Sequence, residues 1–224
     1  FAHLALLWRR HRRFARGGPA ASPRANRLIA AAILYHDVIL RPGASDNEAR
    51  SAALWRREAA RLPGFSAAEI AWVATTIEAS ARHLATPMGR DAAARLRIWF
   101  LDLDLTPLGE AAPAFRCNGK ALRREACRLG PAAYDATERG FLSTVAAAPA
   151  ILRSPRLHAA FERQARANIA AALGGPARRD SHGPGGDGSG VERALPGGVR
   201  DPRSRRDHGD HGRRALRQPR PDHD

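Results

Sequence analysis

The chain has 224 residues, with 37 Lys and Arg against 22 Asp and Glu, a formal charge of +15 and a pI near 11.5. That length can bury a sizeable core in one domain, and a hydrophobic share of 44% excludes a wholly disordered chain. No uninterrupted apolar run approaches the roughly 18–20 residues of a membrane span, and the longest candidate, Leu28 to Leu40, is broken by His36 and Asp37. Arg outnumbers Lys by 36 to 1 beside 47 Ala, the bias that GC-rich coding produces, so the charge is weak evidence for a nucleic-acid partner. Arg9, Arg10, Arg12 and Arg13 follow the first apolar run rather than precede it, the wrong order for a secretion signal. Cys117 and Cys127 have neither zinc spacing nor the count of a disulfide scaffold. They point to a reducing compartment, and the cytoplasm is the expected location.

In chain order, Leu4, Leu6, Leu7 and Trp8 begin a helix that continues to Phe14 and stops at Gly17-Gly18-Pro19. A second helix is predicted from about Ala25 to Ile39, ending before Arg41-Pro42-Gly43. Ser45-Asp46-Asn47-Glu48 has capping-box spacing and opens a third, through Leu62. After Pro63-Gly64, Ser66-Ala67-Ala68-Glu69 offers a second capping box for a helix to about His83. Residues 91–105 continue as helix; the partial alternation from Ile98 to Leu105 also allows a strand, but the alanine run before it favours the helix. Further helices are predicted over about 131–147 and from Ser154-Pro155, where Ser caps and Pro takes the first helical position. The fold class expected is all-α, with the domain over residues 1–173.

Composition changes at residue 174. Residues 174–224 hold 11 of the 20 Gly and 6 of the 16 Pro, contain no aromatic residue and carry +3. Such a segment buries too little apolar area to offset its ordering entropy, so a disordered tail is expected. Its Asp207-His208-Gly209-Asp210-His211 stretch looks metal-like, but disorder argues against a specific site.

His36-Asp37 ends an apolar stretch, where two strong metal ligands are costly to bury unless paired or metal-bound. The doublet alone says little: nine His and 13 Asp in 224 residues give about half of one by chance, and His223-Asp224 is another. Its company says more, with His3 on the preceding helix, Asp102 and Asp104 on a later one, and Asp46-Asn47-Glu48 close behind. His11 and His158 read as surface residues on Arg-rich faces, and Trp8, Trp55, Trp72 and Trp99 as core rather than cofactor platforms.

A His, a His-Asp doublet and a distant Asp on separate helices resemble the HD superfamily of metal-dependent phosphohydrolases. The finer resemblance is to a bacterial branch of small HD phosphohydrolases of unassigned substrate. Leu34-Tyr35-His36-Asp37-Val38-Ile39 resembles its His-Asp segment, and Ser45 to Ala52 resembles its S-D-N-E-E-R-S-A. Phe100 to Gly109 resembles F-L-D-x-D-L-x-x-L-G; Leu122-Arg123-Arg124-Glu125 and Arg166-Ala167-Asn168-Ile169 fit as well. The resemblance covers about residues 1–173 and implies an HD-type helical bundle. It implies His3, His36, Asp37 and Asp104 as ligands of a divalent ion (Mn, Fe, Co, Ni, Zn or Mg), with Asp102 the competitor for the last place. It also implies Asp37, Glu48 and His83 as catalytic residues, with Asp46, Asn47 and Glu48 orienting ligands or a bound water and Arg82 able to meet a phosphate oxygen. The reaction implied is hydrolysis of a phosphorylated small molecule or nucleotide by a metal-activated water.

Departures from the pattern point to a second reading. The family's Tyr-His-x-x-x-His segment would place another His upstream of Phe1, so the chain reads as an N-terminally truncated fragment. Ala49 and Ala126 replace a Glu and a Tyr of the family's pattern. A degenerate, noncatalytic helical HD module is therefore the alternative. An Arg-rich nucleic-acid binder stands third, without clustered stacking aromatics to support it.

Overall fold

The computed structural model describes residues 2–174, which contain eight α-helices, three short 3-10 turns and no strand. The helices are α1 (Ala2–Phe14), α2 (Pro23–Tyr35), α3 (Asn47–Ala59), α4 (Ala67–Ser80), α5 (Ala92–Leu105), α6 (Ala112–Glu125), α7 (Pro131–Ala147) and α8 (Pro155–Gly174). The all-α class therefore stands. Beyond Gly174, which closes α8, the expected tail and its Asp-His stretch lie outside the described residues. No helix among the described residues is long and apolar enough to cross a membrane.

Side-chain caps open α2, α4 and α5, and glycine turns at Gly17 and Gly130 flank α1 and α7. Gly17, at φ 66°, turns the chain after α1. Ser22 then accepts the Ala25 N–H, with Pro23 in the first position of α2. At α4 the predicted capping box forms: Glu69 N–H donates to Ser66 Oγ, and Ser66 N–H to Glu69 Oε2. α5 is the central element, since every residue from Ile98 to Leu103 is buried. A helix apolar on all sides has little amphipathic period, which is why this stretch also read as a possible strand. It packs against α1, α2 and α4. Trp99 and Phe100 on this helix and Trp55 on α3 are the largest fully buried side chains among the described residues. Side chains of that kind each contribute about 1.5–3 kcal/mol by burial.

Several expectations are corrected. α2 ends at Tyr35, not Ile39, so His36 and Asp37 lie in the turn that follows it. The cause is downstream. Ser51 Oγ accepts the Ile39 N–H, while Asn47 accepts from Arg41 N–H and donates to the Arg41 carbonyl, fixing the chain outside a helix. The first capping box does not form: α3 starts at Asn47, its N-cap is Asp46, and no side chain caps it. α4 stops at Ser80, and His83 opens a separate 3-10 turn, His83–Ala85. α6 was not foreseen; it buries no residue, so no core stripe announces it. His11 is fully buried, bonded to Asn26 Oδ1 through Nε2 and accepting the Trp99 indole N–H at Nδ1. Its two polar partners satisfy a ring that sequence alone placed on the surface. Trp8 is exposed, beside the Arg12 guanidinium.

The C-terminal helix closes against the centre at Gly109. A Cβ there would lie 2.6 Å from the Phe161 Cβ and 2.7 Å from its carbonyl oxygen, a contact only glycine allows. Asn168, from the Arg-Ala-Asn-Ile segment, donates to the carbonyls of Leu108 and Glu110, each at 2.8 Å. These bonds fix the turn directly after α5.

Candidate metal centre

Four separate chain segments bring polar groups to the buried end of α5. His3 comes from the first turn of α1, His36 and Asp37 from the turn after α2, His83 from its 3-10 turn, and Asp104 from the last turn of α5. Asp104 is the shared acceptor. Its Oδ1 lies 3.0 Å from His3 Nε2 and 3.4 Å from His36 Nε2, and its Oδ2 lies 2.8 Å from His83 Nε2. Asp37 Oδ2 approaches His36 Nε2 from the other side at 3.2 Å. The ligand atoms of His3, His36 and Asp37 all lie within 4.8 Å of one another.

His36 is the pivot. Its Nδ1 meets the Ile33 carbonyl at 3.0 Å, which holds that nitrogen as a donor and leaves Nε2 as the lone-pair atom of the neutral ring. The ring is sealed on one side by Phe100, centroid to centroid at 5.6 Å. Nε2 is buried and, though within ion-pair distance of two carboxylates, makes no hydrogen bond. A buried polar atom left unbonded costs about 1–3 kcal/mol, a cost that a cation at this point removes. The donor set fits such an ion: imidazole nitrogens and carboxylate oxygens suit Mn, Fe, Co, Ni or Zn, and Mg less closely.

The same carboxylates favour a protonated His36 ring in the metal-free protein, so a cation at Nε2 has to displace a proton. Burial lowers the His36 pKa, but Asp104 and Asp37 outweigh it and raise the group to about 11. Burial raises Asp104, yet His36, His3 and His83 together hold it well below the ordinary carboxylate range. Access is one-sided: the side chains of His3 and Asp37 are 38% and 43% exposed, those of His36 and Asp104 only 1% and 11%. The open side of the cluster is therefore the face formed by His3 and Asp37.

Asp102, two residues before Asp104, points elsewhere, as i and i+2 positions on a helix must. It is fully buried and accepts the backbone N–H groups of Arg153, at 2.6 Å, and of Ser154. Burial raises its pKa against the pull of those donors. Its work is structural: it anchors the entry to α8. Glu48 is half-buried and forms no hydrogen bond or ion pair among the described residues. Asp46 forms an ion pair with Arg50 at 3.5 Å, and Asn47 fixes the loop behind His36. Arg82 is exposed.

One contributor escaped the sequence. Arg153 Nε lies 3.3 Å from Asp102 Oδ1, while Nη1 donates to the Thr86 carbonyl at 2.7 Å and Nη2 to the His83 carbonyl at 2.9 Å. The guanidinium thus ties the His83 turn to α5, keeping His83 on Asp104. No local pattern marks it, because its partners lie 51 to 70 residues away. Comparison with protein-family models, curated proteins and solved structures finds no match to this chain.

Proposed function

We propose that the described domain is an HD-type metal-dependent phosphohydrolase acting on a phosphate ester or nucleotide. The single observation that carries the reading is the unbonded His36 Nε2, buried between Asp37 and Asp104, with its other ring nitrogen already engaged. His3, His36, Asp37 and Asp104 would hold the ion. When bound, it would lower the pKa of a water and polarise a phosphoryl oxygen.

The chain's own groups supply the rest. The Ile33 carbonyl fixes the His36 ring and its tautomer. His83, pinned on Asp104 Oδ2, is placed to hold or pass a proton at Nε2. Asp37, the more exposed carboxylate, is the one that can meet the incoming substrate's protons. Phe100 keeps water from the inner face of His36.

The test is a screen of phosphomonoesters, phosphodiesters and nucleotides with Mn or Mg added. Turnover abolished by His36→Ala and reduced by His83→Ala is the expected result. Tight metal binding without turnover of any substrate class would favour the noncatalytic module instead.

A further inference from the structure

The first 36 residues contain seven Arg and not one Asp or Glu. The fold neutralises three of them from other parts of the chain: Arg10 pairs with Glu110, and Arg24 and Arg27 share Glu69. The other four, Arg9, Arg12, Arg13 and Arg16, are exposed, have no carboxylate partner among the described residues, and line one groove of about 620 Å³. Trp8 and Asn26 complete its wall. The side chain of Asn26 is already bonded to His11 and to the carbonyls of Ala21 and Ser22, so that wall is rigid.

The groove is separate from the candidate metal centre. Arg12 follows His3 by nine residues on α1, about 14 Å along the axis and about half a turn around it. Placement of Arg12 and Arg13 in the last turn of α1 explains part of the tolerance for those two cations, because the dipole there is negative. It does not explain why four arginines line one concavity with no acid among them, even though Arg12 lies over the Trp8 ring and Arg13 over the Phe14 ring.

We propose that this groove is a binding site for a small polyphosphate anion, a nucleoside triphosphate or bare tripolyphosphate. Four guanidinium groups match the three to four negative charges of a triphosphate, and forked N–H donors suit phosphate oxygens. A nucleic-acid strand is disfavoured, because Trp8 stands alone and no series of aromatic platforms follows it.

Isothermal titration of the full-length chain with ATP and with sodium tripolyphosphate, in EDTA at physiological salt, tests this. Saturable binding of either is expected; ATP alone would assign a nucleotide, both a bare polyphosphate. Replacing Arg9, Arg12, Arg13 and Arg16 by Gln should weaken it at least about tenfold. Equal charge loss elsewhere, with Gln at Arg61, Arg90, Arg116 and Arg163, should leave affinity within about twofold. If the fourfold groove variant does not fold, Arg12→Gln with Arg13→Gln should show the same direction. The paired His36→Ala and Asp37→Ala variant should bind like wild type. Absence of binding, an equal loss in the control set, loss in the His36–Asp37 variant, or binding only of a single-stranded oligonucleotide would each overturn the proposal.

Discussion

α1 carries opposite arrangements at its two ends. At the first turn, His3 meets a carboxylate that also serves His36 and His83, so imidazoles and acids are balanced within a buried cluster. In the second half, Arg10 alone finds an acid, Glu110, while Arg9, Arg12 and Arg13, with Arg16 just beyond the helix, line an open groove. The helix has no acidic residue, and its arginines are confined to the second half. Where α5 and the following turn deliver carboxylates, the result is a compact polar centre; where they do not, an anion-attracting surface remains. Charge distribution is thus decided by tertiary partners and not by the local sequence.

The sharpest way to break the site end is Arg153→Ala. It leaves Asp102 buried without its guanidinium and frees the His83 turn, and should cost about 3 kcal/mol or more in chemical denaturation. A loss below about 1 kcal/mol would mean the tie is a surface pair. Next is Gly109→Ala, which forces α8 away from the centre and should cost about 1–3 kcal/mol while leaving the groove's anion affinity unchanged.

A pH series separates paired from unpaired arginines more finely. The Ser66 backbone N–H, with Arg27 and Arg24, lowers the pKa of Glu69 to about 2 from 4.5. A depressed carboxylate stabilises the fold above its unfolded pKa, and the contribution is lost as pH falls through the folded one. Melting curves of wild type and Glu69→Gln should therefore differ above pH 4.5 and converge as pH approaches 2. A gap that persists there would mean that Glu69 acts through packing and not charge. The smallest effect is expected at the groove: Gln at Arg9, Arg12, Arg13 and Arg16 should move stability by no more than about 0.5 kcal/mol. A large loss would show that these side chains hold the fold instead of awaiting a ligand.

The sequence revealed local structure well and long-range support poorly. Gly17 and the Ser66–Glu69 box marked their helix ends because the signals act within four residues, whereas α2, predicted from about Ala25, starts at Ser22-Pro23. His3, His36, Asp37 and Asp104 were named together through the pattern around them, and the fold gathers them, with His83, at one end of α5. What stayed hidden depends on distant partners. His11 looks like any histidine among arginines until Asn26 and Trp99 close on it. Arg153 is one Arg among 36 until the His83 turn and Asp102 meet its guanidinium. Asn47 and Ser51 stood out as motif residues near the site; their bonds show them shaping the loop that carries His36-Asp37 out of α2.

The central claim is that His36 Nε2 is a ligand atom awaiting a cation. Titrating the chelator-stripped full-length protein with Mn and Zn, beside His36→Ala and Asp104→Asn variants shown to fold, tests it most directly. One tight site in the wild type, weakened more than about hundredfold in both variants, is the predicted result. Equal, negligible binding in all three would contradict it.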